Sequence, residues 1–325
     1  MNSLEVSVVI PTYNRKTVLG ETLHRISNQT FPKDKYEVIV VDDCSMDGTQ
    51  EYLRSLKYLV STRHILNNTN LGRAKTRNRG IREAKGKYIL MIDDDIWASN
   101  NLIEKHYEEH MRHSEDVAVV GAILVANEVP KTAVNEFLND HHRWCYIEMS
   151  KYKDSLPFNF CKTASLSMSK EVLFRVGFFN EAFVNYGGED TELGYRLDRY
   201  GIKLFFARDA FGHHFHDESV ENFITRSISL GREHIVFLKQ HPEADSGKYQ
   251  GFFTAHFHNK FTSRLLLYNL IKLLIFTPPA RLLNMTFIKL FNSRPKPMMA
   301  NYLLPILKMQ FIRRGMKEVE HENRD

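Results

Sequence analysis

Three consecutive aspartates are the residues of this sequence best suited to chemistry. Asp93, Asp94 and Asp95 directly follow the apolar run Tyr88–Ile92. Carboxylates this close together raise each other's pKa, and a divalent cation removes that penalty. Oxygen ligands of this kind suit Mg²⁺ or Mn²⁺, which also accept phosphate oxygens from a substrate. The triplet therefore predicts a metal and phosphate site, and the alternative is a solvated acidic turn before a helix that begins near Asn100.

A second acidic pair stands at the start of a helical pattern. Glu189 and Asp190 follow the two glycines Gly187 and Gly188. Glycines let the backbone approach a ligand closely, and the helix dipole favours ionised carboxylates in the first turn. An ionised carboxylate that faces a hydroxyl can act as a general base. The pair is a candidate for catalysis, an ordinary acidic first turn is the alternative, and Arg196 is expected to pack or to form an ion pair.

The elements that would position these acids alternate between strands and helices. Three apolar runs, nearly continuous as in a parallel sheet covered on both faces, are Val6–Ile10, Glu37–Val41 and Tyr88–Ile92. Between them, Leu19, Leu23 and Ile26 recur at helical spacing, and residues 70–85 form a second helix candidate that ends at Gly86. This order predicts a doubly wound, mostly parallel α/β sheet.

Ligands of such sheets bind at the carboxyl ends of the strands, and polar residues follow each predicted strand. The chain lacks both a GxGxxG after the first strand and a P-loop, so phosphates must be held otherwise. Arg77 and the cation could neutralise a diphosphate, Asp42 or Asp43 could accept from a base N–H, and Tyr13 could stack on the base. A strand-to-helix turn with ordinary capping is the alternative for Tyr13 and Asn14.

Five motifs in this order resemble those of the family 2 nucleotide-sugar glycosyltransferases. They are Val6–Asn14, Val40–Ser45, Asn70-x-Gly72 with Arg77-Asn78-x-Gly80-Ile81, Asp93–Asp95, and Gly188-Glu189-Asp190-x-Glu192. The resemblance covers roughly residues 5–216. It implies a GT-A-like fold and an inverting transfer of a sugar from a nucleoside-diphosphate sugar, with a UDP-sugar favoured. Thr76 departs from the alanine that is frequent in the family, a conservative change.

The resemblance also assigns expected roles to single residues. Asp190 is favoured as the catalytic base within the Glu189–Asp190 pair, and Asp43 corresponds to the residue that contacts the base of the nucleotide. Asp93 and Asp95 form the DxD pair, in which Asp95 is the ligand of Mn²⁺ or Mg²⁺. The other positions expected to bind the nucleotide sugar are Pro11, Thr12, Tyr13, Arg15, Asn70, Gly72, Arg77 and Asp94.

A run of histidines follows the segment of the predicted base. Family members often place a histidine there that contacts the metal or the diphosphate. His214 is the better-aligned candidate, and His213 and His216 are its substitutes. In the mechanism that the resemblance implies, one base removes the proton of an acceptor hydroxyl while the cation stabilises the leaving diphosphate. A single displacement of this kind inverts the anomeric carbon.

A weak metalloprotease pattern lies just after the aspartate triplet. His106 and His110 enclose a glutamate in an HxxEH arrangement on a predicted helix, and His113 extends the same face. No distal acidic ligand is evident, and such patterns arise by chance in a chain with 15 histidines. The sequence therefore predicts a solvated helix face here.

Basic residues are concentrated near the C-terminus. The chain carries +5 overall, yet residues 260–317 contain eleven lysines and arginines and no acidic residue. The apolar run Leu265–Phe276 would span about 18 Å as a helix, too little for the ~30 Å core of a bilayer. An amphipathic helix on an anionic membrane surface is one interpretation. The other is a helical bundle packed on the catalytic domain or on a second subunit of a homo-oligomer.

The remaining features set the broad class of the protein. A chain of 325 residues that is 43% apolar and 26% charged is typical of globular proteins. We expect a catalytic domain at 1–217, with a nucleotide-binding part at 1–95 and an acceptor side at 96–217, and a helical region at 218–325. Three cysteines without a CxxC pair and an N-terminus without a signal pattern indicate a cytoplasmic protein. The basic C-terminal region adds the expectation of a peripheral position on the inner face of the cell membrane.

The predicted function is that of a hexosyl- or N-acetylhexosaminyltransferase in polysaccharide biosynthesis. The expected acceptor is a hydroxyl of a cell-surface glycan or a glycolipid precursor. A non-catalytic nucleotide-sugar-binding or membrane-docking scaffold is the alternative. Nucleic acid is not expected as a partner, because the acidic catalytic part would repel it and no binding motif is present.

Overall fold

A computed structural model of the chain describes residues 3–56, 60–113, 116–245 and 304–322, and single residues between 282 and 292. Two units are distinguished. The first comprises 1–129, 141–185 and 189–216, and the second comprises 130–140, 186–188 and 217–325. The apolar run Leu265–Phe276 and most of the basic region 260–317 lie outside the described residues, so the interpretations given to them stay predictions.

The described residues form eight strands, nine α-helices and two short 3-10 helices, Phe158–Phe160 and Pro242–Asp245. The strands are β1 Val6–Thr12, β2 Tyr36–Asp42, β3 Ser61–Leu66, β4 Tyr88–Ile92, β5 Ile96–Ala98, β6 Val117–Val125, β7 Ser165–Ser169 and β8 Lys203–His214. The helices are α1 Lys16–Ser27, α2 Thr49–Ser55, α3 Arg73–Glu83, α4 Leu102–Met111, α5 Ala133–Met149, α6 Lys170–Val176, α7 Glu189–Arg199, α8 Val220–Gln240 and α9 Leu304–Glu322. None of these helices is long and apolar enough to cross a membrane.

The strands form one mixed sheet in the order β3-β2-β1-β4-β7-β6-β8-β5. Six strands run in the same direction, and β7 and β5 are antiparallel to their neighbours. The prediction of a mostly parallel α/β sheet is confirmed. The predicted runs in β1, β2 and β4 are strands, and the predicted helix at 70–85 contains α3.

Apolar residues on both faces of the sheet explain why these strands read as continuous hydrophobic runs. Successive side chains of a strand point to opposite faces. Val9 therefore lies in the core cluster that includes residues of α3, α6 and α7, whereas Val8 lies in the cluster that includes residues of α1 and α4. Burial on both sides leaves every residue of β2 and β4 buried.

Helix α3 contacts the sheet directly at Gly80. A Cβ atom at this position would lie 2.5 Å from Val9 Cγ1 and 3.0 Å from Val41 Cγ2, so only glycine permits the contact without displacing the helix. Since α3 starts near the carboxyl ends of β1 and β2, this packing fixes Arg77, one turn before Gly80, at the edge where the polar residues gather.

The prediction of a solvated histidine face on α4 is wrong. His106 and His110 are both buried, and their ring nitrogens lie 2.8 Å from Ser165 Oγ and Ser167 Oγ on β7. Burial, and for His106 the nearby His110, lowers the pKa of both rings to about 3, so they are neutral at pH 7. The serines of β7 give the two imidazoles hydrogen-bonding partners inside the core, which is why this polar pattern is tolerated there.

The second unit contains a close contact between α8 and α9. A Cβ atom at Gly231 would clash with the carbonyl oxygen of Ile312, and one at Gly315 would clash with that of Ile228. The two backbones thus approach each other at glycines, as small residues permit. Ser219 caps α8 by accepting a hydrogen bond from the backbone N–H of Asn222 at 3.1 Å, and this agrees with the predicted start of helical structure there.

Candidate active site at the carboxyl ends of the strands

Asp94, like its neighbour Asp95, is buried. Its Oδ2 accepts a 2.7 Å hydrogen bond from Thr12 Oγ1, and its carbonyl oxygen accepts one of 2.8 Å from Thr22 Oγ1. Burial and the neighbouring Asp95 carboxylate raise the pKa of Asp94 to about 7. Protonation of Asp94 therefore relieves part of the repulsion in the triplet. The roles predicted for Thr12 and Asp94 in nucleotide-sugar binding stay predictions, since the two side chains bind each other inside the protein.

Asp93 is joined to the predicted catalytic pair by Arg77. Arg77 is 2% exposed, and its Nη2 and Nη1 atoms donate to Asp93 Oδ1 at 2.7 Å and to Glu189 Oε1 at 2.9 Å. Burial lowers the pKa of this guanidinium, but the two carboxylates outweigh burial and raise it above its ordinary value. The geometry favours Arg77 as the cation that holds two acids in place, and contact of Arg77 with a diphosphate stays a prediction.

Asp95 lies in a cluster with two imidazoles. Its Oδ1 is 3.2 Å from His214 Nε2, and its Oδ2 is 3.2 Å from His216 Nδ1. Arg15 Nη2 is 3.5 Å from the same Oδ2. Burial favours the neutral acid, but His214, His216 and Arg15 lower the pKa of Asp95 well below its ordinary value, so the group is ionised at pH 7.

This cluster fits a divalent transition-metal ion. One ligand atom from each of Asp95, His214 and His216 lies within 4.8 Å of the others. Within the described residues, the buried Asp95 Oδ1 makes no hydrogen bond of good geometry, although His214 Nε2 lies 3.2 Å away, so this oxygen can face a cation. Carboxylate and imidazole together suit Mn²⁺. Asp93, the other predicted carboxylate ligand, is engaged with Arg77.

Short strand β5 brings Asp95 and His214 together. Ile96 pairs with His214 in the β5–β8 ladder, and the backbone N–H of Phe215 donates to the carbonyl oxygen of Asp95 at 2.9 Å. Because side chains alternate along a strand, His214 lies in the cluster, whereas His213, opposite Trp97, does not. The structure thus favours His214 over His213 as the predicted ligand and adds His216 beside it.

His142 on α5 contacts the ring nitrogen of His214 that does not face Asp95. Its Nε2 lies 3.4 Å from His214 Nδ1, and the two rings are perpendicular at 5.4 Å. A partner on Nδ1 fixes the orientation of an imidazole whose Nε2 faces a metal. Sequence reasoning missed His142, because 72 residues separate it from His214 and nothing in the sequence of α5 marks the contact.

Asp43 organises the turn that precedes α3. Its Oδ1 accepts from the backbone N–H of Leu71 at 2.8 Å and from Asn67 Nδ2 at 2.8 Å, and its Oδ2 accepts from the backbone N–H of Gly72 at 2.9 Å. Gly72 has φ +82°, a conformation that favours glycine. Asp43 therefore holds the backbone of Leu71 and Gly72, and the predicted nucleotide contacts of Asp43, Asn70 and Gly72 stay predictions.

The turn after β1 is held by the loop after β2. The backbone N–H of Asn14 donates to Ser45 Oγ at 2.8 Å, and Asn14 Oδ1 accepts from the backbone N–H of Met46 at 2.8 Å. These contacts hold Asn14 at φ 52°, which asparagine tolerates better than most residues. The ring of Tyr13 is exposed beside this turn and Pro11 is half-buried, so Tyr13 is accessible for the predicted stacking.

Asp190 occupies the first turn of α7 beside Lys162. Its Oδ1 accepts from the backbone N–H of Thr191 at 2.7 Å, and its Oδ2 lies 3.3 Å from Lys162 Nζ. Burial lowers the pKa of Lys162, but the Asp190 carboxylate raises it, with a net rise. Lys162 was missed by sequence reasoning, because it lies 28 residues before Asp190 in a segment without a motif. Arg196 pairs with Glu192 at 2.7 Å, as predicted.

The first unit thus holds an ionised carboxylate with two imidazoles, a buried arginine between two acids, and a partly exposed aspartate. The family model described as glycosyl transferase family 2 matches residues 7–173. The chain belongs to glycosyl transferase family 2. A second model, described as the N-terminal domain of galactosyltransferase, matches residues 143–218, which include the Glu189–Asp190 pair and His214. The predicted family is therefore confirmed.

Known proteins resemble this glycosyl transferase in sequence and in fold. Chondroitin synthase of Escherichia coli is 32% identical over 251 residues, which are 68% of this chain and 36% of the relative. A mannosyltransferase of Pyrobaculum calidifontis, solved with GDP-Man and Mn²⁺, gives a TM-score of 0.66 at 18% identity and covers 98% of this chain and 88% of its own. TarS 1–349 of S. aureus, solved with UDP, gives a TM-score of 0.53 at 20% identity and covers 99% and 91%.

These likenesses confirm the GT-A fold that the motifs predict. At identities of 18% and 20%, the two solved structures establish the fold of this chain and nothing about its substrates. The chain spans about a third of the length of the chondroitin synthase it matches.

Proposed function

We propose that this chain is a metal-dependent, inverting glycosyltransferase whose catalytic domain comprises residues 1–217. It would transfer a hexosyl or N-acetylhexosaminyl group from a nucleoside-diphosphate sugar, with a UDP-sugar favoured, to a hydroxyl of a cell-surface glycan or glycolipid precursor. The observation that carries the proposal is the ionised Asp95, whose two carboxylate oxygens lie 3.2 Å from His214 Nε2 and 3.2 Å from His216 Nδ1. The fold neighbours solved with GDP-Man and Mn²⁺ and with UDP support it.

Asp95, His214 and His216 would hold the cation. Bound there, Mn²⁺ or Mg²⁺ supplies positive charge to the diphosphate oxygens, which become more negative as the sugar leaves. Arg15, 3.5 Å from Asp95 Oδ2, provides a second positive charge at the same edge of the sheet. His142 keeps the His214 ring oriented toward Asp95.

Asp190 would act as the general base. It is the more exposed acid of the pair, and its Oδ1 accepts a hydrogen bond from the backbone N–H of Thr191 at the start of α7. In the reaction, the acceptor oxygen bonds to the anomeric carbon, the bond from that carbon to the diphosphate oxygen breaks, and the hydroxyl proton moves to Asp190. A single displacement inverts the stereocentre and requires no carboxylate nucleophile.

The nucleotide would bind along the turns after β1 and β2. Tyr13 offers an exposed aromatic face for the base. Asp43 Oδ2 accepts one backbone hydrogen bond and retains a second lone pair for a base N–H. The role of Asp43 would then be twofold, because the same carboxylate fixes the Asn70–Gly72 turn.

Thermal-shift measurements against UDP-, GDP-, dTDP- and CMP-sugars, with and without Mn²⁺, test the proposal. A ligand at 100 times its Kd stabilises the folded protein by about 2.7 kcal/mol. We expect one nucleotide class to stabilise the protein, and to do so more strongly with Mn²⁺. Transfer or hydrolysis of the stabilising donor should follow. Stabilisation without any turnover would favour the scaffold function, and no stabilisation by any sugar nucleotide would contradict the proposal.

We further propose a peripheral position on the cytoplasmic face of the membrane, on the charge of the sequence alone. The eleven basic residues of 260–317, with no acid among them, suit an anionic lipid surface. Sedimentation of the full chain with liposomes that contain phosphatidylserine should exceed that of a chain truncated after residue 255. Equal sedimentation of the two chains would contradict this placement.

A further inference from the structure

Lys162 forms an ion pair with the proposed base. Its Nζ lies 3.3 Å from Asp190 Oδ2, and no other ion pair of either residue occurs within 4.0 Å among the described residues. The Lys162 side chain is 48% exposed and that of Asp190 is 18% exposed. The pair therefore lies where solvent, and hence an acceptor, can reach both charged groups.

The backbone around Lys162 is fixed by helix α7. A Cβ atom at Gly194 would clash with the carbonyl oxygen of Phe158 and would lie 2.6 Å from Cys161 Cβ. The Phe158 ring also packs edge-on against Tyr195 at 5.6 Å. Gly194 lies one turn after Asp190 on α7, so this contact holds the residue after Cys161 beside the first turn. Lys162 is thus placed next to the base by the packing of two buried segments.

This placement has a consequence for the chemistry of Asp190. The Asp190 carboxylate is the counter-ion of Lys162. When Asp190 takes the proton of the acceptor hydroxyl, it loses its charge and leaves Lys162 without a counter-ion. Glu189 and Asp93 are already held by the buried Arg77. A second anion that pairs with Lys162 at this moment would replace the lost counter-ion, so that the ammonium group is not left unpaired beside the neutral Asp190.

We propose that Lys162 recognises an anionic acceptor. Its ammonium group would exchange Asp190 for a carboxylate or phosphate that the acceptor carries near the attacked hydroxyl, since charge-assisted hydrogen bonds to such groups are among the strongest available to lysine. The inference rests on the proposed function and deepens it, because it names the class of acceptor as an acidic sugar. A uronic acid and a sugar phosphate both present this chemistry.

Acceptor pairs matched in shape and different in charge test the inference in the full chain. One pair is p-nitrophenyl β-D-glucuronide and p-nitrophenyl β-D-glucoside, and the other is glucose 6-phosphate and glucose. With the donor found by thermal shift, we expect kcat/KM to favour the anionic member of at least one pair by about 10-fold, which corresponds to about 1.4 kcal/mol. The pair that shows the preference identifies carboxylate or phosphate as the group recognised.

Two variants of Lys162 and one control variant distinguish the loss of acceptor recognition from a general loss of activity. Lys162→Met should bring the ratio of kcat/KM for the anionic and neutral acceptors close to one, whereas Lys162→Arg should retain a preference. Lys105 on α4 forms a similar ion pair with Glu108 at 2.8 Å, so Lys105→Met is the matched control and should leave the ratio unchanged. Equal loss of activity toward both acceptors in Lys162→Met would overturn the inference.

A direct probe of the lysine covers the case in which none of these sugars is a substrate. After reductive methylation with ¹³C-formaldehyde, the NMR signal that is missing from Lys162→Arg reports on Lys162. In the presence of UDP and Mg²⁺, glucuronate or glucose 6-phosphate should shift this signal, and glucose should not. An unshifted signal would overturn the inference. Donor turnover without any charge preference overturns the role of Lys162 alone, whereas absence of donor turnover overturns the proposed function.

Discussion

Arg77 Nη1 lies 2.9 Å from Glu189 Oε1, and this buried ion pair connects α3 to the first turn of α7. It separates the roles of two adjacent acids. The Glu189 side chain is 5% exposed and bound to Arg77, whereas Asp190 is partly exposed and faces Lys162. Glu189 therefore acts as a fixed structural anion, and Asp190 is the acid that an acceptor can reach.

Removal of the Arg77 charge should destabilise the fold strongly. Arg77→Met would leave the Glu189 carboxylate buried without its cation, and breaking a buried pair in this way costs about 3–5 kcal/mol. Urea denaturation measures the change in unfolding free energy. Arg82→Met is the matched control, because Arg82 is exposed on the same helix and its pair with Glu181 is a surface pair worth about 0–1 kcal/mol. Equal effects of the two substitutions would contradict the account.

Substitution of the proposed base Asp190 should lower turnover strongly and spare binding of the donor. Asp190→Asn keeps the shape of the side chain but removes its ability to accept a proton, and general bases contribute about 10²- to 10⁴-fold. We expect kcat to fall by that factor while the Kd for the donor nucleotide, measured by calorimetry, stays within about twofold.

Glu189→Gln distinguishes the two acids further. It should lower stability through the loss of charge beside Arg77 more than it lowers kcat per folded molecule. If Glu189→Gln abolished turnover in a protein as stable as the wild type, Glu189 would be the base instead.

Two buried histidines should make the fold sensitive to acid. The pKa of His106 and His110 is lowered to about 3 in the folded protein, while an unfolded chain has histidines near 6.5. Below about pH 6.5 the histidines are protonated in the unfolded state but stay neutral in the folded state. The free energy of unfolding is therefore highest above this pH and falls as the pH drops. The expected slope is about 1.4 kcal/mol per pH unit for each histidine until the pH approaches 3.

Denaturant melts between pH 7 and 5 measure this slope. His106→Asn should reduce it by about one histidine's share, whatever the variant loses in stability at pH 7. His24→Asn, at an exposed position of α1, is the matched control. An unchanged slope in His106→Asn would show that the ring is not held neutral by the core.

The contact of α8 and α9 should not tolerate a side chain. Gly231→Ala would place a methyl group against the carbonyl oxygen of Ile312 and force the helices apart, with a cost of about 1–3 kcal/mol. Thr225→Ala, on an exposed position of α8, should leave stability nearly unchanged. Thermal unfolding of both variants tests this, and a fully stable Gly231→Ala would contradict the packing described.

The predictable part of the fold is the part with strong hydrophobic patterns. Strands β1, β2 and β4 are mostly apolar, so their existence follows from the sequence, although β1 and β2 extend one or two residues beyond the predicted runs. Strand β5 has only three residues, too few for a period to show. Strand β7 reads Ser-Leu-Ser-Met-Ser, and its serines look like loop residues although they bind His106 and His110 inside the core.

In the candidate site, too, only the residues that belong to a sequence pattern could be predicted. Its acids were found because they follow strands in an order that a known family shares. The partners of those acids were missed or assigned differently, because the contacts of His142 with His214, of Lys162 with Asp190 and of Arg77 with Glu189 join distant segments. Such pairs are created by tertiary packing, and no local pattern encodes them.

The most direct measurement is the affinity for Mn²⁺ in the presence of UDP, by electron paramagnetic resonance of the free ion. His214→Ala and Asp95→Asn should weaken binding by at least the 10- to 100-fold seen for the supporting partners of metal ligands. His213→Ala, one residue away and outside the cluster, should bind as the wild type does. Wild-type affinity in Asp95→Asn, or an equal loss in His213→Ala, would contradict a cation held by Asp95, His214 and His216.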